Sequence, residues 1–119
     1  MNVASRELCE ELFKLSGWGN EVGAQLPHWQ DPYNRRAEYE YYRYDLGYLL
    51  RKLPALNEAQ QQYLLMEASP IGYAFGYAEW GELRGATGTA DTPEDAAAKL
   101  CITLINQGVL PTSKEGGEK

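Results

Sequence analysis

Two cysteines, one histidine and two phenylalanines are all that this 119-residue chain holds of those types, and each scarcity removes a class of chemistry. Cys9 and Cys101 lie far apart, each on the apolar stripe of an expected helix, which favours buried free thiols over a disulfide. With His28 alone and no C-x-x-C pair, a zinc site has too few ligands, so no metal and no other cofactor is expected. No apolar run approaches the roughly 18 residues that a membrane helix needs. The N-terminus MNVASRELCEELF carries acids where a signal peptide would be apolar. The expectation is a cytoplasmic protein with no membrane association. A phosphate loop is missing too, since RGATGTADTPEDA brings acids rather than a lysine to a helix start.

Positive charge is also in short supply. Lysine and arginine number 11 against 17 acids, a net charge of −6. Long-range electrostatics therefore oppose docking on duplex DNA or an anionic membrane and favour basic partners.

What the chain does hold is tyrosine and tryptophan, nine and three respectively, rings with a polar handle that suit half-buried sheet faces and binding surfaces. Apolar residues at 44% and charged residues at 24% are those of a globular chain, and the length suits one core. Residues 1–111 are expected to form a single α+β domain, and 112–119, TSKEGGEK, a disordered tail.

The clearest element is TPEDAAAKLCITLINQG. Thr92 is a suitable N-cap, Pro93 fits the first helical position, Glu94 and Asp95 complement the helix dipole, and Gly108 supplies a left-handed stop. Ala97, Leu100, Cys101, Leu104 and Ile105 form its buried side, and Ala96, Ala97 and Ala98 admit close approach to a sheet. A first helix is expected over 5–16, capped by Ser5 and ended at Gly17. A third is expected over 44–53, with Leu46, Leu49, Leu50 and Leu53 as its stripe and Pro54 as its stop. Between them lies a loop with a short strand near 24–26 and, over 38–41, a strand or an early helix start.

The alternation of residues 63–68 and 72–80 around the turn SPIG is a hairpin signature. Ala74, Gly76 and Ala78 are expected beneath a helix, leaving the rings of Tyr73, Phe75 and Tyr77 on the open face or in a homodimer interface. GELRGATGTA adds a strand with Gly85 and Gly88 as weak points or bulges. The expected fold is a small antiparallel sheet of about three or four strands with about three helices packed chiefly on one face.

Three surfaces merit weighing for chemistry. Tyr73, Phe75, Tyr77 and Trp80, with Glu79 and Glu82, form the candidate partner-binding set. Arg35, Arg36 and Arg43, interleaved with Tyr39 and Tyr41, form an alternative single-stranded nucleic-acid set, disfavoured by Glu38, Glu40 and the overall acidity. Glu79 and Glu82 flanking Trp80 would be the acids of a small enzyme, which predicts a pocket between them. No stretch carries a catalytic signature, and His28 in PHWQDP has no nucleophile motif to serve.

The segments ATGTADTPEDAAAKLCITLINQGVL, LCEELFKLSGW and YDLGYLLRKLP resemble small uncharacterised proteins encoded by bacteriophages and prophages. The resemblance implies a phage or prophage origin and a bacterial cytoplasmic setting, and brings no activity and no functional residue with it. It favours an accessory protein that binds a host or phage macromolecule, for instance an acidic inhibitor of a host nucleic-acid-binding factor.

Overall fold

The computed structural model describes residues 2–19, 26, 42–57 and 61–110. The strands expected at 24–26 and 38–41, His28 and the tail at 112–119 lie outside them, Leu26 excepted. In chain order the elements are α1 (Arg6–Ser16), α2 (Leu46–Lys52), β1 (Leu56–Asn57), β2 (Gln62–Ser69), β3 (Gly72–Glu79), β4 (Glu82–Ala90) and α3 (Pro93–Asn106). The strands form one antiparallel sheet in sequence order, with β1 only a two-residue addition to three full strands. This is the expected α+β architecture.

Local chemistry accounts for the helix ends. The Ser5 side chain accepts from Leu8 N–H, and Gly17, at φ 69, closes α1 with its N–H on Phe13 O. Thr92 Oγ1 accepts from Asp95 N–H at 3.2 Å, Pro93 opens α3, and Gly108 beyond its end has φ 75. The two N-termini are joined: Asp95 Oδ1 accepts from Ser5 N–H at 2.6 Å.

α2 starts two residues later than expected. Ala4 N–H donates to Tyr44 O at 2.9 Å and Val3 bridges Asp45, which holds residues 44–45 extended. Asp45 then caps the helix through Tyr48 N–H at 2.8 Å. The helix is also turned relative to the leucine stripe. Leu49 and Leu53 are buried as expected, but Leu50 is exposed and Tyr48 takes an inward place, stacked on buried Tyr44 with ring centroids 5.4 Å apart. The Lys52 ammonium lies 5.2 Å from the rings of both Trp18 and Tyr48.

α3 lies on β3 and β4 and carries α1 and α2 on its other side. It is therefore buried nearly all round, from Ala96, Ala97 and Ala98 through Leu100, Cys101 and Ile102 to Leu104. Cys9 and Cys101 are buried free thiols, as expected. No helix among the described residues is long and apolar enough to cross a membrane.

Candidate functional site

The expected facing of the sheet is inverted. Phe75 and Tyr77 are only 4% and 5% exposed and belong to the hydrophobic core, with Tyr73 packed partly against it. Phe75 pairs with Gly88, and a Cβ built on Gly88 would sit 2.3 Å from Ala96 O and 2.5 Å from Leu100 N of α3, so this is the helix-facing side. Gly76 faces the other way: a Cβ there would meet Thr87 Oγ1 at 3.1 Å and Leu83 Cδ2 at 3.2 Å.

The physical reason lies in where the small residues are needed. The backbone of α3 approaches β4 at Gly88, flanked by Ala86 and Ala90, both partly buried against the core. Beside that approach the helix layer leaves a wedge over β3, which the rings fill. Tyr77 crosses it, its hydroxyl donating to Pro54 O at 2.7 Å, and burial pushes its phenol up to about 12 from 10.0, with Cys101 adding a smaller effect in the same direction. The Phe75 and Tyr77 rings therefore belong to the core and not to an open face, while Tyr73 is only partly buried against it.

The remaining half of the candidate set stands at the β3–β4 turn. Glu79 and Glu82 are paired, leaving Trp80 and Gly81 as a two-residue loop with φ of 57 and 83. Positive φ at both central residues is the type I′ turn, whose twist matches that of the strands it joins. Gly81 suits its place, but a left-handed conformation costs a bulky L-residue about 1–2 kcal/mol. Trp80 adopts it while 91% exposed. Glu82 Oε2 accepts from Arg84 Nη2 at 3.4 Å, and both side chains are well exposed.

An enzyme using Glu79 and Glu82 would need a pocket at this turn, and neither of two clefts among the described residues lies there. Both lie at the opposite end of the sheet. One of about 790 Å³ is bounded by Glu67, Ser69, Ile71, Tyr73, Thr89 and Lys99, and one of about 550 Å³ by Val3, Tyr73, Asp91, Pro93 and Glu94. Neither is lined by Glu79, Trp80 or Glu82. Among the described residues no group of three or more histidine, cysteine, aspartate or glutamate side chains is placed to hold a metal ion.

Of the alternative nucleic-acid set, Arg35, Arg36, Tyr39 and Tyr41 lie outside the described residues, and Arg43 is half-buried. The neighbouring Tyr44 is fully buried, its hydroxyl donating to Trp18 O at 2.6 Å, so its ring cannot stack on a base.

Sequence reasoning passed over the open face itself. Register places Tyr63, Leu65 and Glu67 of β2 and Leu83, Thr87 and Thr89 of β4 on either side of Ala74, Gly76 and Ala78. The small residues form the middle of this face, with Gly76 and Ala78 buried between their neighbours. Tyr63 on its rim is 40% exposed, and Ile71 in the β2–β3 turn 91% exposed. The signal was present in the alternation but required the correct face to be chosen. Compared with models of protein families, with curated proteins and with solved structures, the chain matches none.

Proposed function

We propose that this chain is a non-enzymatic phage or prophage accessory protein that binds a basic surface of a host or phage macromolecule in the bacterial cytoplasm, anchored by Trp80. The observation that carries the reading is the state of that residue: a tryptophan 91% exposed, at φ 57, in a turn position that glycine or asparagine would occupy with less strain. Neither packing nor turn geometry within the chain accounts for it. Strained backbone of this kind clusters at functional sites such as ligand clamps, and tryptophan is among the strongest interface anchors.

The charge around it favours a basic partner. Residues 61–91 carry Glu67, Glu79, Glu82 and Asp91 against Arg84 alone. Complementary charge would raise the encounter rate, and the aromatic anchor would set the lifetime of the complex. Capture from bacterial lysate on immobilised wild type and on Trp80→Asn tests the reading. A specific protein retained by wild type and lost or weakened at least about tenfold by the variant is expected. Equal capture by both would remove Trp80 from the interface.

A further inference from the structure

β2 is an edge strand along most of its length. On one side it pairs with β3 from Tyr63 to Ser69; on the other, β1 reaches only Gln62 and Tyr63, and Leu64 N–H donates to Ala55 O at 2.9 Å before the chain leaves at Pro54. Backbone groups alternate along a strand, so Met66 and Ala68 point their N–H and C=O the same way as Leu64. No described residue takes up those groups. Of the devices that usually blunt an edge, residues 64–69 carry one charged side chain, Glu67, but no bulge, no proline and no lysine. The outer edge of β4, in contrast, is broken by a bulge at Gly85 and Ala86, opposite the step from Gly76 to Tyr77.

We infer that the β2 edge from Leu65 to Ser69 accepts an extended segment of a partner protein as an added strand, with a lysine or arginine opposite Glu67 and apolar residues on either side of it. Glu67 is exposed, lies on the open face and, with Asp91, outnumbers Lys99 among the charged residues lining the 790 Å³ cleft. An incoming cation therefore meets a carboxylate and has room for its stem. Residues opposite Met66 and Ala68 would lie on the helix side, beside the 43% exposed Met66 side chain. The recognition pattern is thus apolar, basic, apolar, read by main-chain hydrogen bonds and one charge.

A second copy of this chain fits the edge poorly in the antiparallel two-fold registers centred on Met66, Glu67 and Ala68. Centring the pair on Glu67 sets two carboxylates directly opposite, which is unfavourable. Centring it on Met66 requires Leu64 N–H, already bonded to Ala55 O. Centring it on Ala68 sets Met66 against Pro70, which has no N–H to give. The edge is thereby closed to itself and open to a basic strand.

The test is a titration followed by amide NMR with two blocked eight-residue peptides, one alternating valine with lysine and one alternating valine with glutamate. Wild type should bind the lysine peptide, with slowed exchange at the Met66 and Ala68 amides. Ala68→Pro, which removes an outward N–H and leaves the β2–β3 ladder intact, should lower that affinity at least about tenfold. Glu67→Lys should transfer the preference to the glutamate peptide, which keeps the test decisive if the proline variant fails to fold. Trp80→Asn should bind the lysine peptide as wild type does, so this surface and the turn are judged separately. Unchanged Met66 and Ala68 amides with either peptide, equal binding by Ala68→Pro, or protection of these amides by concentration-dependent dimerisation without peptide would overturn the inference.

Discussion

Burial sets the behaviour of two titratable residues that sequence alone would leave ordinary. Tyr77 is pushed up to about 12 from 10.0, chiefly by desolvation, and Cys101 to about 12 from 9.0 by the same cause, partly countered by Lys52. Both hold their proton more tightly folded than unfolded, so between pH 9 and 12 the native state binds more protons. Stability is fully present below this window and falls as pH rises through it. Urea midpoints should drop between about pH 8 and about pH 10.5, and Cys101→Ala should show a shallower drop. An equally steep decline in the variant would mean that Cys101 does not titrate as a buried thiol. Burial of the two cysteines was legible from their place on helical stripes. The burial of Tyr77 was not, because alternation marks two faces of a strand without saying which one is covered.

At the level of elements, caps were the most readable feature. Ser5, Thr92, Pro93 and Gly108 act where their side chains and backbone freedom suggested, since each works through groups only a few residues away. What could not be read was the seat of α3. Its alanines announce a close approach, but equally small residues occur on β3 and β4, and only the tertiary arrangement chooses Gly88. That position carries a sharp prediction. A methyl group there would fall within 2.3 Å of Ala96 O, which is backbone and cannot move aside. Gly88→Ala should destabilise the fold by about 3 kcal/mol, the upper end for overpacking, as read by urea unfolding. A change well below about 1 kcal/mol would place α3 farther from β4 than described. Tertiary contacts likewise orient α2, whose leucines predicted a stripe but whose Tyr48 found partners in Tyr44 and Lys52.

For the molecule as a whole, the fold class followed from the order of periodicities, three helical and three alternating, because each needs a second layer to cover its apolar side. The functional surface did not follow as readily. Six residues were expected to form one partner-binding set; Phe75 and Tyr77 proved to be core, Tyr73 packs partly against it, and three remain at a turn where Trp80 stands in water. The free edge of β2 depends on strand order, which no local pattern encodes. Among the described residues, rings that maintain the fold are thus divided from Trp80, which stands outside it. Urea unfolding of Trp80→Asn tests that division most directly. With the left-handed strain relieved and no packing lost, the variant should be more stable than wild type by about 1 kcal/mol. A loss of stability of that size or more would show that Trp80 packs against its own chain, and would contradict the assignment of the turn to a partner.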